Sequence, residues 1–117
     1  MFNFERLDVW RASIEFADLV YSIAKAFPRD ERFGLTNQMR RASVSVSANL
    51  AEGNSRSSAK EYQRFIEIAF GSLMEVVSHS AIARRQAFLT EEQHQQIYHF
   101  ADRVGRMLSG LRNSLNE

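Results

Sequence analysis

One proline, Pro28, interrupts a chain of 117 residues. Proline and glycine are the residues that most often end helices and mark turns, so a chain this poor in breakers is confined to a few long helices. Besides Pro28, the obvious breaks are Gly34 and Gly53. The first stretch runs from about Leu7 to Phe27 and ends where Pro28 disfavours helix in the residue before it. Leu7, Trp10, Ile14, Ala17, Tyr21 and Ala24 recur in steps of three and four, which predicts the inward seam of a helix.

A second helix is predicted over Leu35–Glu52, with Leu35, Met39, Ala42, Val46 and Leu50 inward and Gly53 as a left-handed C-terminal residue. Within it Ser43-Val44-Ser45-Val46-Ser47 alternates with the period of a strand, but the run is short and lacks flanking turn residues. Asn54–Ser57 reads as a loop. Ser58-Ala59-Lys60-Glu61 has the form of a capping box opening a third helix, whose seam is Tyr62, Phe65, Ala69, Leu73, Val76, Ser80, Ala83 and Ala87. Thr90-Glu91-Glu92-Gln93 opens a fourth, with Ile97, Ala101, Val104, Leu108, Leu111 and Leu115 inward. Short connections between long helices predict an all-α fold, an antiparallel up-and-down four-helix bundle forming one domain over residues 1–117.

Composition narrows the function classes. With no cysteine, disulfide frameworks, thiol nucleophiles and cysteine zinc sites are excluded. No apolar run approaches the roughly 18 residues of a membrane span. Met1–Arg6 also lacks the basic-then-apolar layout of a secretory signal, so a cytoplasmic protein without membrane contact is expected. A net charge of +1 identifies no partner by itself; only its distribution can.

The first helix carries more apolar surface than one seam requires. Val9, Phe16, Val20, Ile23 and Phe27 form a second stripe about 120° around from the first, at about 100° per residue. Either this is a wide core helix partly covered by the Pro28–Gly34 connection, or the stripe is a subunit interface. Self-association is the favoured expectation, since exposed apolar patches of that extent mark contact sites. On the second helix, Val44, Ala48 and Ala51 offer a small-residue side to another helix. Gly71, inside the third, suggests close backbone packing, because glycine there costs about 1 kcal/mol relative to alanine.

Several ordered motifs carry a resemblance. They are Phe4-x-x-Leu7-x-Val9-Trp10, Phe27-Pro28 with Glu31-x-Phe33-Gly34-Leu35, Gln38-Met39-Arg40-Arg41-Ala42, Ser45-x-x-x-Asn49-Leu50-Ala51-Glu52-Gly53 and Gly71-Ser72-Leu73-x-Glu75. Together they resemble the 23S rRNA-intervening-sequence proteins over the first two-thirds of the chain. The resemblance implies four antiparallel helices, a ring-like homopentamer, and no enzymatic activity or cofactor. Through a related branch, the accessory proteins of diversity-generating retroelements, it implies RNA, DNA, a reverse transcriptase or another protein as partner.

Residues 32–64 hold six cations against two carboxylates, in a chain whose total is +1. Arg40, Arg56, Lys60, Arg64, Arg84 and Arg85 are the candidate nucleic-acid-binding residues, because the guanidinium fork donates paired hydrogen bonds to phosphate oxygens. Solvated helix faces also carry arginine, and pairing with Glu31, Glu67 or Glu75 is the competing expectation. Gln38, Arg41, Asn49 and Glu52, beside the second seam, are expected to form a structural polar network with Glu75. Glu91-x-x-His94 and the pair Glu75/His79 are too few for a carboxylate di-iron site, so no metal is expected. No Gly-x-Ser-x-Gly elbow or phosphate-cradling glycine loop occurs, and no catalytic residue is assigned. The resulting reading is a non-enzymatic oligomer offering basic surface to RNA or DNA, with an adaptor for a protein partner as the alternative.

Overall fold

The computed structural model of the chain describes residues 1–116. It contains four α-helices: α1 (Asp8–Ala24), α2 (Leu35–Asn54), α3 (Ala59–Arg85) and α4 (Glu91–Ser114). Short 3-10 turns at Asn3–Arg6 and Arg29–Glu31 precede α1 and α2. Each helix packs on two others, α1 on α2 and α4, α3 on α2 and α4, which closes a four-sided bundle about 45 × 23 × 22 Å. No strand occurs among the described residues. The alternating serines lie in helix, where Ser43 and Ser47, one turn apart on the buried side, satisfy their hydroxyls by donating back to the carbonyls of Arg40 (2.7 Å) and Val44 (3.1 Å).

The helix starts differ in chemistry. Ser58 caps α3 by accepting from the Glu61 N–H at 3.1 Å, without the reciprocal half of a box. Thr90 and Gln93 form the complete box at α4, with bonds of 3.0 and 2.9 Å. At α2 the N-cap is Gly34, which has no side chain to offer, and Glu31 accepts from the Leu35 N–H at 3.1 Å.

The core corrects the reading of the first helix. Val9, Phe16, Val20, Ile23 and Phe27 are buried by the chain itself, Phe16 and Val20 completely. They are therefore not an interface between subunits but the inward face. Both stripes of α1 have helical spacing, and the one that fills the bundle is wholly apolar, whereas the other carries the indole N–H of Trp10 and the hydroxyl of Tyr21. Phe16 meets Phe100 of α4 edge-on at 5.6 Å, and Phe27 meets Phe88 at 5.8 Å. Of the predicted seam only Ala24 is fully buried; Ile14 and Tyr21 stand exposed, and Trp10 is half-covered by Phe4 at 5.1 Å. The seams of the other helices are as read, with Ile66 as an additional core residue and Ala87 lying past the end of α3.

Two glycines are also corrected. Gly53 lies within α2 without a positive φ, and a Cβ there would sit 2.6 Å from Phe65 Cβ and 3.2 Å from the Tyr62 ring. Its role is close approach of α2 to α3, not helix termination. Gly71 is exposed with nothing within 4 Å of a built Cβ, so no neighbour in this chain explains it. The left-handed residue is instead Ala87, with φ 63°. Its N–H reaches Arg84 O (3.0 Å) and the Phe88 N–H reaches Ala83 O (2.8 Å), a full Schellman end to α3.

α3 is long and apolar enough by length and composition to cross a bilayer, contrary to the expectation that no such stretch exists; here it packs between α2 and α4.

Gly53→Ala is expected to lower stability by about 1–3 kcal/mol, read as a lower urea midpoint, because the added methyl meets Phe65. Ala87→Gly is expected to raise stability by about 1 kcal/mol through release of left-handed strain at a helix end, read as a higher melting temperature.

Candidate nucleic-acid interface

The contact between Phe27 and Phe88 places the α1–α2 and α3–α4 connections at one end of the bundle. Arg84 and Arg85, in the last turn of α3, belong to that end, and so does Arg40 in the second turn of α2. Arg56, Lys60 and Arg64 surround the α2–α3 turn at the other end. At about 1.5 Å per residue of helix, Lys60 and Arg84 are roughly 35 Å apart. The six candidate cations are thus divided between two ends rather than gathered on one surface.

Their partners differ as well. Arg56 is 3.5 Å from Glu52 and lies over the Phe65 ring at 4.7 Å. Arg84 is held by Glu91 at 2.7 Å. The carboxyl of Glu91 is held below the usual glutamate value, first by the hydrogen bond from Gln95 and then by Arg84. Among the described residues Arg40, Lys60, Arg64 and Arg85 make no ion pair, and of these Arg40 alone is half-buried, its guanidinium 5.1 Å over the Tyr21 ring.

Three cations that were not among the candidates join Arg40. Lys25 follows the last turn of α1, and Arg29 and Arg32 lie in and after the 3-10 turn behind Pro28. With Ala24, Phe27, Pro28, Thr36 and Arg40 they line a cavity of about 310 Å³. No carboxylate lines it; Glu31, in the same turn, accepts from the Leu35 N–H instead. Arg32 entered the sequence reading only as part of a charge excess, and Arg29 and Thr36 not at all. The available signal was their position around the lone proline, which turns the chain back across the start of α2.

The expected polar network does not form: among the described residues no hydrogen bond or ion pair joins any two of Gln38, Arg41, Asn49, Glu52 and Glu75. Asn49 donates to the Ser45 carbonyl (2.8 Å) and hydroxyl (2.9 Å), and Ser72 of α3 donates to that hydroxyl at 3.0 Å. Gln38, Arg41 and Glu75 line a groove with Ser45 and Ser72, without an Arg41–Glu75 ion pair. Glu75 lies 3.6 Å from His79, and Glu52 faces Arg56, so neither joins Asn49. Serine is the bridging residue because its short side chain fits where α2 and α3 run close.

Two pairings bear on chemistry. Ser80 and His94 Nδ1 are 2.8 Å apart, but Ser80 is completely buried, which leaves its hydroxyl no access to a substrate. Glu91 is engaged by Arg84 and Gln95 while His94 turns to Ser80, so Glu91-x-x-His94 does not converge. Among the described residues no group of three or more His, Asp or Glu could hold a metal ion.

A protein-family model described as 23S rRNA-intervening sequence protein matches residues 5–110. A crystal structure of a protein of unknown function from the S23 ribosomal protein family of Bacteroides thetaiotaomicron VPI-5482 has the same fold, with a TM-score of 0.81. It is 22% identical in sequence, and the match covers 89% of this chain and 97% of that one. No curated protein matches the chain.

Proposed function

The chain belongs to the 23S rRNA-intervening sequence protein family, and on that premise we propose that it is a non-enzymatic, cytoplasmic protein that binds the backbone of RNA or DNA. We propose further that its helices run up and down in antiparallel order. Support for that course comes from the partners of α3: Phe65 lies against Gly53 and Ser72 against Ser45, while Gln63 reaches Arg112 O and Ser80 reaches His94.

The observation that carries the functional reading is the cluster of Lys25, Arg29, Arg32 and Arg40 around one cavity with no carboxylate in its lining. Arg85 adds an unpaired cation to the same end. Such a cluster suits phosphates, which position a protein on nucleic acid without reading its sequence. Lys60 and Arg64 form a lesser patch at the opposite end. The family is named for 23S rRNA and the structural neighbour's family for a ribosomal protein, which agrees with a polyanionic partner.

A second reading, an oligomer or adaptor that binds protein, is favoured by the apolar residues left exposed: Ile14, Tyr21, Val44, Ile68, Met74 and Ile82. In its fullest form this is a ring of five copies, with a reverse transcriptase or another protein as further partner. It draws on these residues and not on the stripe that proved to be core.

Arg29→Glu with Arg32→Glu is expected to weaken binding of a labelled duplex, measured by fluorescence anisotropy across a salt series. Each lost phosphate contact removes about 0.9 from the slope of log affinity against log salt, so the pair should remove nearly two. Lys60→Glu with Arg64→Glu should change it less; equal affinity and slope in wild type and the Arg29/Arg32 variant would sink the reading. For the oligomer, light scattering should give a multiple of 13.5 kDa that falls with Ile14→Glu plus Tyr21→Glu. A monomer mass at all concentrations removes it.

A further inference from the structure

We propose that the cavity between the end of α1 and the start of α2 is a seat for a single phosphate group, held by Lys25, Arg29, Arg32, Thr36 and Arg40. For the source of that phosphate it rests on the nucleic-acid reading; as a binding site it rests on the cavity alone.

Thr36 supplies the independent observation. Its side chain lines the cavity, is only 6% exposed, and its hydroxyl has no hydrogen-bond partner. A buried hydroxyl is ordinarily satisfied, so Thr36 is left as a donor without an acceptor at the cavity wall. Arg40 repeats the pattern one turn later: its Nε is shielded and unpartnered. Its guanidinium is fixed against Tyr21, so little side-chain freedom remains to be lost on binding.

The surroundings set the sign of the ligand. Four cations and no carboxylate form the lining. At the start of α2 the Leu35 N–H is already taken by the Glu31 carboxylate at 3.1 Å, so the four cations and Thr36, not the helix end, supply the site. The end of α1 does not use these cations: the carbonyls of Tyr21, Ile23 and Ala24 already accept from the N–H groups of Lys25, Ala26 and Phe27. A planar carboxylate has two oxygens to share among so many donors, whereas a tetrahedral phosphate accepts from several directions at once. About 310 Å³ admits the phosphate with the carbon substituent of an ester.

Inorganic phosphate is titrated into the full chain, with sodium chloride at matched ionic strength as reference. Binding is followed by amide shifts of Thr36 and Arg40 and by melting temperature. Wild type should show saturable shifts with phosphate that chloride does not reproduce. Thr36→Val, which keeps the shape and removes the hydroxyl, should weaken phosphate about 5- to 15-fold. Arg32→Gln, an exposed site that does not disturb packing, should weaken it by a similar factor and serves if the valine variant does not fold. Shifts no larger than those of chloride, or full affinity in both variants, overturn the proposal whatever the oligonucleotide does. When phosphate binds, displacement of a labelled oligonucleotide beyond the ionic-strength effect supports the seat and assigns it to a strand. Phosphate binding with an oligonucleotide that stays bound, or never binds, supports the seat as one for free phosphate; the second case removes the nucleic-acid reading alone.

Discussion

The meeting of α2 with α3 is the constraint from which the rest of the molecule is built. At Gly53 the two backbones come so near that a single Cβ would collide with Phe65, and about two helical turns away Ser45 and Ser72 still share a hydrogen bond. Small side chains along this seam allow close packing, and close packing brings Met39, Val46, Leu50, Leu73 and Val76 out of water together. α1 and α4 then complete the bundle, each resting on one of the pair and on each other. The packing also decides where the connections fall, and the one behind Pro28 brings Arg29 and Arg32 beside Lys25 and Arg40.

Much of this arrangement was legible in the residues. Steps of three and four mark all four helices, and Ser58 and Thr90 announce two of the starts by their side-chain chemistry. The inward faces of α2, α3 and α4 follow from their longest runs of three-and-four spacing, which leave Val44, Ile68, Met74 and Ile82 outside. α1 offers two such runs, and periodicity cannot choose between stripes of the same period. The ring of Phe100 across the core, which meets Phe16, makes the choice, and it is a property of the assembled bundle. Gly53 shows the same limit. A glycine near a helix end has two uses, conformational freedom and absence of a side chain, and only the position of Phe65 tells them apart.

The cationic cavity was less legible for a different reason. Lys25, Arg29, Arg32 and Arg40 spread over 16 positions and three local structures, so no spacing rule links them. Pro28 and the turn behind it fold them onto one corner. Thr36 was invisible because a threonine in the first turn of a helix is unremarkable until its burial and its lack of a partner are seen together. Conversely, Arg56 and Arg84 stood out in sequence, yet their neighbours Glu52 and Glu91 offset much of their charge.

The cavity opens at the tip of a rod about 45 Å long and 22–23 Å across. A polyanion approaching that end along the rod axis would have a footprint set by the cross-section of the rod rather than its length. For a duplex, with one charge per about 1.7 Å of axis counting both strands, that width spans roughly six base pairs where a side-on embrace would span twice as many. Such a handle leaves the long flanks of the bundle, with Ile14, Val44 and Ile68 on them, free to face something else at the same time.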